Sequence, residues 1–301
     1  MLEKLYQKIL SENIKHKIEK AILSIAITSF IIHLIIIYLI ELNLIYLKTP
    51  SNLLTNPIAA IYTPFSFILV YEVYLLIYYL PKSFTKYVSK QYEIICLIII
   101  RRLFKDLSNL QISGNWFSIK YDLQFSYDLA TSLFLFFLLY LFHLQYKPNK
   151  GINHSIELRS PSVENFVQIK KMLALVLVPI LLSLSIYSFT TWIFNVIYSE
   201  TNNINSFSNI NNIFFEQFFT ILIFADVLLL LFSFYLTDDF HKVMRNSGFI
   251  ISTILIRISF STTGLVNNLL IVCAISYGLL ITLIHNKFDN KIIRGNIGNE
   301  I

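Results

Sequence analysis

The chain has 301 residues, of which 55% are hydrophobic and only 14% are charged, and its formal net charge is +6. This number of charged side chains is too small to cover the surface of a water-soluble domain of this length. The composition therefore excludes an ordinary soluble protein and indicates a protein of the lipid bilayer. The positive charge does not indicate nucleic-acid binding, because the basic residues flank apolar segments and form no stripe interleaved with exposed aromatic residues.

Residues 1–20 carry apolar residues at helical spacing with lysines between them. This pattern is typical of an amphipathic helix at the cytoplasmic face or in the membrane interface, and a solvated leader is the alternative. The apolar segment that starts at Ala21 is much longer than the core of a signal peptide, and no Ala-x-Ala site follows it. It therefore predicts an uncleaved first span.

A bilayer-crossing helix needs about 20 apolar residues. The sequence predicts eight spans, at 21–45, 58–80, 93–112, 126–146, 172–196, 214–236, 247–263 and 266–285. The third and seventh are weaker because Arg101 and Arg257 interrupt them. Most basic residues fall in the connections that this alternation places on one side, which predicts that both termini lie in the cytoplasm. The expected location is the bacterial inner (plasma) membrane.

The two halves of the sequence share one similar stretch of seven residues. Ile98-Ile99-Ile100-Arg101-Arg102-Leu103-Phe104 aligns with Ile254-Leu255-Ile256-Arg257-Ile258-Ser259-Phe260. The predicted fold is therefore an all-α integral membrane protein with two parallel four-helix repeats, 21–146 and 171–286, joined by a cytoplasmic linker at 147–170 and followed by a cytoplasmic tail at 287–301. Chance similarity between isoleucine-rich helices is the alternative.

Two acidic residues lie inside predicted spans, and each precedes an arginine in the next span of the same half. The pairs are Glu72 with Arg101 and Asp226 with Arg257. Ionisable groups at membrane depth are costly and usually have a partner or a function, so we predict an acid–arginine bridge in each half. The bridges either fix the helices in register or line an ion or proton path and act in gating.

Glu93, at the start of the third predicted span, and His33, inside the first, are secondary candidates for such a path. The two cysteines, Cys96 and Cys273, lack the closely spaced partners that a metal site needs. The sequence contains none of the motifs that identify hydrolases, metalloproteases or nucleotide-binding enzymes. We therefore expect no metal, no cofactor and no enzymatic activity.

One stretch resembles an uncharacterised family of bacterial multi-span membrane proteins. It runs Phe240-His241-Lys242-Val243-Met244-Arg245-Asn246-Ser247-Gly248-Phe249 and leads to Leu255-Ile256-Arg257. The resemblance implies a multi-span fold and attaches no activity to it. It groups the residues of 245–248, among which Asn246 or Ser247 is a candidate helix cap and the exposed helix start a candidate anion site.

Two functions fit this pattern. The first is an ion- or proton-coupled transporter or channel-like protein, with Glu72, Arg101, Asp226 and Arg257 as path or gating residues. The second is a non-transporting membrane subunit or scaffold of a larger complex. The expected partners are membrane lipids, a small ion or proton, and membrane partner subunits, without nucleic acid.

Overall fold

The computed structural model describes residues 2–44, 57–107, 120–145, 161–198, 206–236 and 240–298. All regular structure in these ranges is helical, which confirms the all-α prediction for them. The helices are α1 (Leu2–Ile9), α2 (Glu12–Glu41), a 3-10 turn (Pro57–Ile61), α3 (Tyr62–Tyr79), α4 (Phe84–Leu107), α5 (Lys120–Gln145), α6 (Pro161–Tyr198), α7 (Ser206–Leu236), α8 (Phe240–Ser259) and α9 (Leu265–Gly298).

Helix length and composition indicate a membrane protein. Within the described ranges, five segments are long and apolar enough to cross a bilayer: Glu3–Glu41, Asp122–Gln145, Glu164–Leu184, Gln217–Tyr235 and Leu265–Phe288. The other predicted spans also form helices, but the apolar part of α3, Thr63–Tyr79, is shorter, and charged residues interrupt α4 and α8. The eight-span count and the repeat stay predictions.

The N-terminal segment is divided at Ser11. This residue has extended backbone angles, φ −82 and ψ 161, and its side chain accepts a hydrogen bond from the Ile14 amide, so it caps α2. The cap ends α1 at Ile9, where one helix over 1–20 was expected, and α2 then runs from Glu12 into the first candidate span without a break. The Tyr74 hydroxyl donates to the Ile9 carbonyl at 3.1 Å and holds the end of α1.

Several helices start before the predicted spans, including α4 at Phe84 and α7 at Ser206, and two of the early starts change an interpretation of the sequence. Helix α6 begins at Pro161, so residues 161–170 of the predicted linker are helical, whereas residues 147–160 lie outside the described ranges. Helix α8 begins at Phe240, which places Asn246 and Ser247 inside the helix. Neither residue caps its amino end, and the predicted anion site at that helix start has no basis.

The chain divides into two compact units. The first unit comprises Met1–Tyr78, Leu97–Ala130 and Ala174–Phe218, and the second comprises Tyr79–Cys96, Thr131–Leu173 and Phe219–Ile301. Each unit therefore takes segments from several parts of the sequence.

Aromatic rings fill much of the interior of the second unit. Phe142 packs edge-on against Tyr92 at 5.2 Å between ring centroids, and Phe249 stacks on Phe84 at 6.2 Å. The Tyr92 hydroxyl hydrogen-bonds Ser252 at 2.7 Å and lies where α9 has Gly278. A Cβ on residue 278 would come 1.8 Å from that hydroxyl, so only glycine fits beside Tyr92. This packing fixes the part of α4 that carries the polar residues described next.

Candidate functional site

The predicted pair between Glu72 and Arg101 forms within the first unit. Arg101 Nη2 donates to Glu72 Oε2 at 2.6 Å, and Arg101 Nη1 donates to the Phe65 carbonyl at 3.4 Å. Glu72 is only 3% exposed. A charge-assisted hydrogen bond of this kind offsets much of the cost of burying both charges, so α3 and α4 are joined by a satisfied ion pair.

A second ion pair of the first unit connects α4 to α5. The Arg102 guanidinium donates through Nε and Nη2 to the two carboxylate oxygens of Asp128, with 2.8 Å between Nη2 and Oδ1. Asp128 is fully buried, and Gln124 donates to Oδ1 at 2.7 Å. The charge pattern alone does not single Asp128 out, because this residue falls near the end of a predicted span, where a charge is ordinary. The spacing of Gln124 and Asp128, one helical turn apart, is the signal that points to them.

Asp226 and Arg257, in the second unit, do not form the ion pair that the sequence predicts. Arg257 Nε donates to Thr220 Oγ1 at 2.9 Å and Nη1 donates to Ser261 Oγ at 3.2 Å. Thr220 precedes Asp226 by six positions on α7, which is roughly 9 Å along the helix axis. Arg257 lies in the last turn of α8, where a cation also interacts favourably with the helix dipole. Because Arg257 lies near the end of α8, its guanidinium is level with Thr220 on α7 and not with Asp226, which lies further along that helix.

Asp226 is instead part of a network of uncharged polar side chains. Gln91 Nε2 donates to Asp226 Oδ2 at 3.3 Å, and Thr253 Oγ1 donates to Gln91 Oε1 at 2.9 Å. Asp226 and Gln91 are each 1% exposed. The network joins α7, α4 and α8, and the Thr253 hydroxyl orients the Gln91 amide so that its NH₂ group faces the carboxyl group.

The second oxygen of Asp226 and the hydroxyl of Tyr87 are both buried and lack a partner in hydrogen-bond geometry among the described residues. The two groups interact electrostatically. A phenol can both donate and accept a hydrogen bond. Tyr87 is therefore suited to pair with Asp226 whether the carboxyl group is charged or protonated.

Lys170 supplies the positive charge that acts on Asp226. This residue lies on α6, inside the candidate span Glu164–Leu184, and is buried. Its ammonium group donates to the Lys82 carbonyl at 3.2 Å and sits over the rings of Phe166 and Phe84, at 4.8 and 5.5 Å from their centroids. Carbonyl and aromatic contacts thus hold a buried cation that stabilises the carboxylate without being bonded to it.

The secondary candidates have ordinary partners. Glu93 forms an ion pair with Lys90, and its Oε1 lies 3.3 Å from His143 Nε2, all on a partly exposed surface of the second unit. His33, in the first unit, hydrogen-bonds Thr63 through Nδ1. Among the described residues, no group of three or more His, Cys, Asp or Glu side chains is arranged to hold a metal ion.

In comparisons with known proteins, no family model, no curated protein and no solved structure matches the chain. The resemblance of the segment 240–257 to bacterial multi-span proteins therefore stays a prediction. The buried polar groups are the features that indicate a function, and they differ between the units. The first unit buries carboxylates bound to arginines, and the second buries a carboxyl group bound to an amide.

Proposed function

We propose that this chain is a transporter or channel-like protein of the bacterial inner membrane that moves protons, or ions coupled to protons, and that Asp226 carries the proton. The proposal includes eight spans with cytoplasmic termini, which the distribution of basic residues predicts. It also includes two parallel four-helix repeats, which the similarity between residues 98–104 and 254–260 predicts. The observation that carries it is a carboxyl group, 1% exposed within the candidate span Gln217–Tyr235, whose hydrogen-bond donor is the amide of Gln91.

The contrast between Asp226 and Glu72 supports this assignment. Both carboxyl groups are buried in apolar helices, but the Arg101 guanidinium compensates the charge of Glu72 through a direct bond. Among the described residues, the charge of Asp226 is offset by the Gln91 amide, by the neutral Tyr87 hydroxyl and by the more distant Lys170, and no cation is bonded to it. Burying a charge is costly, and a carboxylate without a bonded cation can relieve that cost by binding a proton without breaking an ion pair. Protonation of Glu72 would instead disrupt its bond to Arg101.

The neighbours of Asp226 suit a group that changes protonation. Gln91 donates to one carboxyl oxygen in either state, and the Tyr87 hydroxyl can donate to a charged second oxygen or accept from a protonated one. A proton carrier must stay accommodated in both states for the cycle to turn over. In this proposal the ion pair between Glu72 and Arg101 holds α3 against α4, and this fixed contact limits how the two helices move during gating.

Proton flux into liposomes tests the proposal. The purified full-length chain is reconstituted with an internal pH-sensitive dye, and a potassium diffusion potential is imposed with valinomycin. We expect flux with the wild type, loss of flux with Asp226→Asn, and retention of flux with Glu41→Gln, which removes an acid at the exposed end of α2. Wild-type flux in Asp226→Asn, or no flux in the wild type above empty liposomes, contradicts the assignment.

A non-transporting scaffold or subunit is the second candidate function, and the first unit favours it. There, Arg101 and Arg102 each bind a buried carboxylate, so α3, α4 and α5 are joined by fixed ion pairs. Fixing the register of neighbouring helices is the best-attested role of such buried polar groups. The scaffold predicts that the wild type conducts no protons, that Asp226→Asn melts at the wild-type temperature, and that the chain purifies with a membrane subunit in constant stoichiometry.

A further inference from the structure

Thr253 on α8 has one hydroxyl proton and two acceptors within reach. Its Oγ1 lies 2.9 Å from Gln91 Oε1 and 3.1 Å from the Phe249 carbonyl oxygen. That carbonyl belongs to the preceding turn of α8 and already accepts a backbone hydrogen bond of the helix. Gln91 is buried, and a buried amide oxygen without a donor is costly. The hydroxyl proton therefore contributes more at Gln91 than at Phe249.

This contact bears on which end of the Gln91 amide faces Asp226. The terminal torsion of a glutamine has two nearly equivalent positions, and the oxygen and NH₂ ends of its amide have almost the same shape. When Thr253 donates to the oxygen, the NH₂ group faces Asp226 Oδ2, at 3.3 Å. A turned amide would place its own oxygen against Oδ2, which is tolerated only if Oδ2 carries a proton.

The two ends of the amide act differently on a charged and on a protonated Asp226. A carboxylate only accepts hydrogen bonds, so the NH₂ end alone stabilises it. A protonated carboxyl group has both a donor and an acceptor, so it can bind either end. A contact that keeps the NH₂ end toward Asp226 therefore stabilises the charged form more than the protonated form.

We infer that Thr253 is a positioning residue for proton binding: by holding the Gln91 amide, it eases release of the proton from Asp226 and keeps the bound proton on Oδ1, the oxygen that Gln91 does not contact. The inference rests on the role of Asp226 as proton carrier in the proposed function. It adds a residue of α8 that sets the pH range in which the carrier works.

Replacing Thr253 changes none of the charges around the carrier. Tyr87 on α4 and Lys170 on α6 are the titratable groups that act on Asp226, and Arg245 on α8 acts on Lys170. All of them stay in place when an uncharged hydroxyl is removed. A shift in the titration of Asp226 would then come from hydrogen bonding and not from a changed charge.

Infrared titration of the purified full-length chain measures this effect. The band of the protonated carboxyl group is assigned by its loss in Asp226→Asn. We expect Thr253→Val to raise the pH at which half of the band remains by roughly half a pH unit, about threefold in proton affinity, since one neutral hydrogen bond is removed. Thr253→Ser keeps the hydroxyl and should titrate as the wild type. Thr253→Ala tests the same hydroxyl if Thr253→Val does not fold.

Thr282→Val is the matched control. Thr282 is a buried threonine of α9 whose hydroxyl donates to the Gly278 carbonyl, outside the network of Asp226. This variant should titrate as the wild type. Gln91→Leu should also raise the pH at which half of the band remains, and Thr253→Val should add nothing in that background, because Thr253 acts through Gln91.

Three results would overturn the inference: an unchanged titration in Thr253→Val, an equal shift in Thr282→Val, or a full additional shift of Thr253→Val in the Gln91→Leu background. The test is separate from that of proton flux. If Asp226 titrates as expected but the wild type carries no flux, the proposed transport fails and the role of Thr253 stands. If Asp226 shows no carboxyl band at any pH at which the chain stays folded, both fail.

Discussion

Arg101 Nη2 lies 2.6 Å from Glu72 Oε2, and the two residues bring opposite charges from consecutive helices into contact inside a membrane protein. This pair was foreseeable, because the two charges are located at similar distances from the ends of their predicted spans. It is also the contact whose energetic balance can be tested most directly.

Charge reversal tests this ion pair. Glu72→Arg places two cations together and Arg101→Glu places two anions together, and each should destabilise the protein by about 3–5 kcal/mol, because an uncompensated charge stays buried. The double reversal should recover much of that loss. Membrane abundance and thermal unfolding in detergent are the measurements, and no recovery in the double variant would show that the two groups act independently.

Asp226 and Glu72 should differ in their reaction with a carbodiimide. Dicyclohexylcarbodiimide enters apolar regions and modifies protonated carboxyl groups. We expect labelling at Asp226, which has no bonded cation among the described residues, and less at Glu72, whose reacting oxygen is bound by Arg101. Labelling should decline as the pH rises, because the reagent needs the proton. Peptide mass spectrometry locates the adduct, and equal labelling of both acids would contradict the distinction between them.

Substitution of Gly278 should disrupt the second unit through Tyr92. In Gly278→Ala the new Cβ would lie 1.8 Å from the Tyr92 hydroxyl, and we expect a loss of about 1–3 kcal/mol in unfolding free energy. Tyr92→Phe alone should cost about 1 kcal/mol through the lost hydrogen bond to Ser252. The double variant should be more stable than the sum of the single losses predicts, because the clashing oxygen is gone, and simple additivity would contradict the contact.

Ser11 should set the start of α2. We expect Ser11→Ala to destabilise the first turn by about 0.5–2 kcal/mol, because the Ile14 amide loses its acceptor. Ser11→Gly should cost only a few tenths of a kcal/mol. Hydrogen exchange of the amides at positions 12–15 measures this directly, and equal exchange in the two variants would mean that the cap does not hold the helix.

Helix positions were largely predictable, whereas helix ends and polar contacts were less so. Apolar segments about 20 residues long located most of the long helices, whereas α4 and α8, which charged residues interrupt, gave weaker signals. Arg257 was assigned to the membrane interior because its helix was expected to begin at Ser247, but α8 runs from Phe240 to Ser259 and Arg257 occupies its last turn. That difference in depth explains why Arg257 reaches Thr220 and the predicted bridge to Asp226 does not form.

The network around Asp226 could not be found from charge patterns. Gln91, Tyr87 and Thr253 are uncharged, and such residues occur in helices for many reasons. The spacing of Tyr87 and Gln91, four positions apart on α4, places them on one face and is consistent with a shared partner. Identifying Asp226 as that partner required the three-dimensional packing of α4, α7 and α8.

The close approach of Tyr92 to Gly278 has a consequence for the history of the protein. A tyrosine at position 92 tolerates only glycine at position 278, whereas a smaller residue at 92 would leave room for a side chain on α9. The two positions should therefore change together as related sequences diverge. A sequence that keeps the tyrosine but has a bulky residue at 278 would need a wider separation of these helices than this chain has.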